Sequence, residues 1–219
     1  ATMPPEISRI TEAFLHNPER IEVSRPATTA TGVSQFQVSG GREPHQKREI
    51  LRRLLREAKD LNNAIIFCNR KREVAVVHKS LLKHGFSVGA LHGDMDQSAR
   101  TAALDQFRKG DIPLLVASDV AARGLDIPAV SHVFNFDVPH HADDYVHRVG
   151  RTGRAGRPGT AISIVTSLDT KSMAAIEKLI GQSIPRAEGD YEIHAGASED
   201  SEHPREHRKR EHGREGSRG

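Results

Sequence analysis

The sequence predicts an α/β domain, a mainly parallel sheet flanked by helices. From about Lys47 to Gln182, short apolar runs alternate with amphipathic stretches. The apolar runs are rich in Val, Ile and Phe, and several lack the strict alternation of a strand with one wet face, as expected of strands covered on both sides. Strands that alternate with helices imply right-handed crossovers, and therefore parallel neighbours.

Taken in order, "ISRITEAFLHNPERIEVS" (7–24) reads as a helix and a short strand. "RPATTATGVS" (25–34), rich in Thr, Ala, Pro and Gly, reads as an exposed connection. "KREILRRLLREAKDL" is a helix with Ile50, Leu51, Leu54, Leu55 and Ala58 on one stripe. The predicted strands are "AIIFC" (64–68), "SVGALHG" (87–93), "PLLVAS" (113–118), "HVFNFDV" (132–138) and "GTAISIVTS" (159–167). Between them, "REVAVVHKSLLKHG" and "SARTAALDQFRKG" read as helices closing at Gly85 and Gly110, and "VPHHADDYVHRV" also reads as helical. The end of the chain, "GASEDSEHPREHRKREHGREGSRG", has no aliphatic side chain larger than Ala and mixes both charges. It cannot bury enough apolar area to offset its ordering entropy and reads as disordered.

The 219 residues are 36% hydrophobic and 4% aromatic, with no Trp, so the core must be mostly aliphatic. Lys and Arg number 32 against 29 Asp and Glu, an excess compatible with a polyanionic partner that does not demand one. The single cysteine, Cys68, sits in an apolar run. It reads as a small buried hydrophobe; with no intrachain disulfide possible, a reducing, cytoplasmic setting is expected. No stretch approaches the roughly 20 apolar residues of a membrane span, and no signal peptide is visible. Ala at position 1 reads as a processed start or a cut fragment.

Ligands of parallel sheets gather at the carboxyl ends of the strands. There the sequence places Asn69, Arg70 and Lys71; His92, Gly93 and Asp94, with Gln97 and Arg100 in the next turn; Ser118 and Asp119; and then "HRVGRTGR" (147–154). Glycines that admit a backbone N–H, with Ser, Asn and Arg donors, suit phosphate oxygens. Each has an ordinary alternative: a post-strand Gly is usually a turn, and Asp119 could cap a helix. In "DVAARGLD", Arg123, Gly124 and Asp126 join a cation, a hinge and a carboxylate, which suits ribose hydroxyls or a surface ion pair. The two glycines among the arginines of "HRVGRTGR" each cost a helix about 1 kcal/mol, so solvated charge alone does not explain them.

In this order and spacing, "IIFCNRK", "HGDMDQSAR", "SDVAARGLD" and "HRVGRTGR" resemble the second, RecA-like domain of DEAD-box RNA helicases. The resemblance covers about two-thirds of the chain and implies a three-layer fold. It divides the chain into residues 1–24, the end of a first helicase domain ("ATMPPEI" resembling its Ser-Ala-Thr motif); 25–34, an interdomain linker; 35–186, the C-terminal RecA-like domain; and 187–219, a charged tail.

The resemblance implies that Arg151 and Arg154 are arginine fingers reaching the γ-phosphate of ATP on the first domain, an effect of about 10³–10⁵ in rate. Gly150 and Gly153 would keep the surface low for close approach. His147 and Arg148 would face the first domain and couple cleft closure to chemistry. Gly124 and Asp126 would lie near the ribose. Asn69, Gly93, Arg100, Ser118 and Gly124 would touch RNA phosphates and 2′-hydroxyls, with Gln97 bracing the loop; Ser118 stands where the family more often has Thr. Such contacts carry no base identity, so binding should be sequence-tolerant and salt-sensitive.

No G-x-x-x-x-G-K-[ST] and no Asp-Glu-Ala-Asp occurs in the chain. The resemblance therefore implies a monomeric lobe that is inactive alone, with ATP and Mg²⁺ held mainly by the first domain. A related helicase acting on DNA and a stand-alone RNA-binding module remain alternatives. So does a metal site from His140, His141, Asp143, Asp144 and His147, against the plainer reading of helix-start carboxylates favoured by the dipole.

Overall fold

A computed structural model describes residues 5–16, 32–41, 43–122, 125–154 and 156–187. Its centre is a six-stranded, fully parallel sheet in the order β1-β6-β5-β2-β4-β3. The strands are β1 (Val33–Ser39), β2 (Ala64–Cys68), β3 (Val88–Leu91), β4 (Leu114–Ser118), β5 (His132–Asn135) and β6 (Gly159–Val165). The helices are α1 (Pro5–Phe14), α2 (Pro44–Glu57), α3 (Lys71–Lys83), α4 (Gln97–Lys109), α5 (Asp119–Ala122), α6 (Ala142–Val149) and α7 (Thr170–Ile180).

The absence of polar alternation in the central strands has the expected cause. All five residues of β2 are buried, alternating between two cores. Ala64, Ile66 and Cys68 meet α2 and α3, while Ile65 and Phe67 meet the core shared by α4, α6 and α7. Local chemistry sets the helix ends: Asp96 caps α4 by accepting the Ala99 N–H at 2.7 Å, and Gly110 closes it with a left-handed φ of 82°.

Two details differ from the sequence reading. The first strand of the sheet begins at Val33, so the last two residues of the predicted 25–34 connection are paired, Val33 with Gly159 and Ser34 with Thr160. A polar strand on a sheet edge carries little apolar signal, which is why its first two residues read as connection. Ala187, just past the predicted boundary at 186, is still tied to the lobe, its N–H donating to the Gln37 carbonyl. The strand predicted before residue 24, Gly124 and the tail from 188 lie outside the described residues.

The strand order fixes where a site can form. Connections leaving β1 and β2 run toward β3 and carry α2 and α3 on one face; those leaving β3, β4 and β5 run back and carry α4, α5 and α6 on the other. Crossovers therefore diverge on both sides of β2, at its carboxyl end.

Candidate functional site

The groups that follow β2, β4 and β5 meet around one side chain. Arg148, in the last turn of α6, is 1% exposed and points into the crevice beside β2. Its Nε and Nη2 donate to the two Asp119 carboxylate oxygens at 2.7 and 2.6 Å. Nη2 also donates to Asn69 Oδ1 at 2.7 Å, and Nη1 to the Asp137 carbonyl at 2.6 Å and Asn135 Oδ1 at 3.4 Å. The guanidinium lies 5.2 Å from the Phe67 ring centroid. This corrects the expectation that Arg148 faces another domain: every donor is engaged within the lobe. Its neighbour His147 is exposed.

The predicted RNA-facing residues lie along the same edge, but not all as free donors. Asn69 donates Nδ2 to the Val138 carbonyl at 2.8 Å while its oxygen accepts from Arg148, so its amide group is a brace. Ser118, the last residue of β4, is 7% exposed. Arg100 reaches from α4 to the Ala121 carbonyl at 3.3 Å and to Gln97 Oε1 at 3.5 Å, bringing Gln97, Arg100 and the β4–α5 turn together. Arg100 Nε and His92 Nδ1 are buried without a hydrogen-bond partner among the described residues. Gly93 is exposed, and a Cβ added there would meet nothing within 4 Å. The lobe's own structure does not require a glycine at that point.

Arg151 and Arg154 diverge after α6, Arg151 lining a pocket beside Asp119 and Arg154 lining one with Asn63, Pro113 and Gly159. Helix α6 runs back from the carboxyl end of β5 and brings their backbone to the residues just before that strand. There the Arg151 carbonyl accepts the Val130 N–H at 3.0 Å, and Thr152 Oγ1 donates to the Val130 carbonyl at 2.6 Å, just before β5 begins. Arg154 is exposed, its Nε donating to the Gly150 carbonyl at 2.6 Å. Arg151 is half-buried and lines a small pocket with Asp119, Asp144 and His147. Burial, and then the adjacent Arg154 charge, hold its pKa below the usual arginine range. Neither arginine forms an ion pair with a carboxylate among the described residues. Asp126 meets the last turn of α4: its carbonyl accepts Arg108 Nη2 at 2.6 Å, and its exposed carboxylate pairs with the same guanidinium at 3.6 Å.

Gly153 serves the lobe's own fold. Its φ is +67°, and a Cβ would overlap Val33 Cγ2. Gly150 has an ordinary φ of −63°, and a Cβ there would sit 3.1 Å from the Val146 carbonyl. Close packing onto β1 and α6 is thus one physical reason for the glycines between the arginines.

A cleft of about 740 Å³ opens at the carboxyl ends of β1, β2, β5 and β6, where Arg70, Lys47 and His140 are among the lining residues. Sequence reading passed over Lys47, which bonds Asp137 at 2.8 Å from a helix ninety residues away in sequence. The proposed metal group at the start of α6 does not assemble: among the described residues no three His, Cys, Asp or Glu side chains could hold a metal ion. No described helix is long and apolar enough to cross a membrane.

The parallel sheet and the diverging crossovers at β2 define a RecA-like α/β lobe. The helicase conserved C-terminal domain matches residues 46–156, and the chain belongs to that family as a C-terminal domain of the DEAD-box type. It is 42% identical over 188 residues to the DEAD-box ATP-dependent RNA helicase CshA of Bacillus licheniformis, covering 85% of this chain and 38% of that protein. It is 39% identical to the ATP-dependent RNA helicase eIF4A of Pyricularia oryzae, covering 84% and 46%. The chain spans a little over a third of the length of its bacterial relatives. Among solved structures, Escherichia coli SrmB bound to regulator of ribonuclease activity A superposes with a TM-score of 0.70 at 35% identity, covering 77% of this chain and 99% of that one. Saccharomyces cerevisiae Dbp5 bound to RNA and ADP BeF3 gives 0.73 at 30% identity, covering 84% and 49%.

Proposed function

We propose that this chain is the second lobe of an ATP-dependent RNA helicase, supplying two arginines to a triphosphate held on a first lobe and half of an RNA backbone site. One observation carries the proposal. Arg151 and Arg154 form a pair of like charges at the end of α6, without a counter-carboxylate among the described residues. Two neighbouring cations that meet no carboxylate among the described residues await an anion from outside, and a guanidinium fork matches phosphoryl oxygens as charge spreads over them.

At the carboxyl ends of β3 and β4, Gly93, Gln97, Arg100 and Ser118 offer an open backbone, an amide, a guanidinium and a hydroxyl to sugar and phosphate. None of these reads a base edge, so the RNA affinity should be indifferent to sequence and fall with salt. Hydrolysis would then be coupled to strand separation by closure of the two lobes. ATP and Mg²⁺ belong mainly to the first lobe in this reading, and no step is assigned to metal ligands here.

The test is hydrolysis by the two-lobe protein. Arg151→Ala and Arg154→Ala should each lower RNA-stimulated turnover by about 10³-fold or more, while RNA affinity at fixed salt stays near that of the unsubstituted protein. The 219-residue chain alone should hydrolyse no ATP. Undiminished turnover after both substitutions would overturn the proposal.

A further inference from the structure

We infer that Arg148 is the positioning residue that keeps Arg151 and Arg154 in register with the RNA-facing strand ends, an inference that rests on the function proposed above. A guanidinium has five N–H donors, and the five hydrogen bonds of Arg148 engage groups from three strands: Asn69 after β2, Asp119 after β4, and Asn135 and the Asp137 carbonyl at the end of β5. The residue making them belongs to α6, and Arg151 follows one turn later, its N–H bonded to the Arg148 carbonyl at 3.0 Å. One side chain therefore ties the helix that carries the arginines to the strand ends that carry the RNA-facing groups.

The location sharpens the point. Crossovers diverge beside β2, and in other doubly wound sheets that crevice receives a ligand. Here the lobe's own guanidinium fills it, against Phe67. Stability alone does not call for such a group, because a well-packed apolar side chain often does as well as a buried ion pair. What the fork adds is geometry: a slide of α6 along its axis would strain bonds to Asp119, Asn69 and Asp137 together. Asp119 is the sensitive partner. It follows Ser118 directly and opens the short α5 turn whose Ala121 carbonyl accepts from Arg100. A strand of RNA resting on Ser118 and Arg100 thereby restrains the carboxylate that holds Arg148, and through it the direction of Arg151.

The experiment uses the two-lobe protein for kinetics and the 219-residue chain for RNA affinity and melting. Arg148→Lys retains a cation beside Asp119 but removes the fork. RNA-stimulated kcat should fall about a hundredfold, the scale of a small misplacement of reacting groups, with KM for ATP and RNA affinity unchanged. Arg148→Ala should regain part of its kcat when millimolar guanidinium ion is added, and none with ammonium. Asp119→Asn, which keeps shape and removes the charge, should show the same selective fall, with the double variant no slower than either single one. Undiminished kcat in Arg148→Lys overturns the inference. So do additive losses in the double variant, or kcat, KM, RNA affinity and melting temperature all falling together. An unsubstituted protein without RNA-stimulated hydrolysis would overturn the proposed function itself. Loss of turnover in Arg154→Ala beside normal turnover in Arg148→Lys would leave that function standing and remove only the positioning role.

Discussion

Replacing Gly153 by Ala should destabilise the lobe for two separable reasons. The residue adopts φ +67°, in the left-handed region where an L side chain costs about 1–2 kcal/mol. The new methyl would also overlap Val33 Cγ2 on β1, and forcing an extra methyl into a packed contact costs about 1–3 kcal/mol. The sum is about 2–5 kcal/mol. Urea unfolding of the 219-residue chain, followed by far-ultraviolet circular dichroism, measures it as a lower midpoint at constant slope. The two parts come apart in a Val33→Ala background, where the overlapping methyl is gone. There Gly153→Ala should cost only the backbone part, about 1–2 kcal/mol. A loss below about 1 kcal/mol in the original background, or the same loss in both backgrounds, would refute the account of why a glycine stands between Thr152 and Arg154.

Gly93→Ala should do the reverse: nothing lies within 4 Å of the added Cβ and φ is not in the left-handed region, so melting should hold or rise slightly while RNA affinity in a filter-binding titration falls. His132 gives a pH dependence: burial lowers its pKa, so as pH drops through the ordinary histidine value of about 6.5 the unfolded chain takes up the proton first and stability declines, the decline ending below the lowered folded value. Urea midpoints across that range should flatten in His132→Gln relative to the unsubstituted chain. Tyr145→Phe removes the buried hydroxyl that donates to Gln35 Oε1 at 2.8 Å, and should cost about 1–2 kcal/mol in the same unfolding assay.

The interior of the sheet was legible because its signal is local. "AIIFC" has five consecutive apolar residues, and a strand buried on both faces is what such a run becomes. Asp96 and Gly110 mark the ends of α4 by chemistry confined to one turn. β1 was not legible, since Ser34, Gln35 and Gln37 on an edge strand are stabilised by pairing with β6, far along the chain. The same distinction runs through the site. The arginines of "HRVGRTGR" stand out by spacing, and from spacing they read as a set.

By itself, then, the sequence determined the class of fold, the order of the central elements and which residue types line the strand ends, because period, apolar content and capping act over a few residues. Only the tertiary structure decided which guanidinium turns inward. Arg148 is buried and Arg154 exposed, six residues apart on one short segment, because Asp119, Asn69 and Asp137 converge on the first from three separate strands and no carboxylate among the described residues meets the second. That choice is made by groups distant in sequence, and no local pattern encodes it.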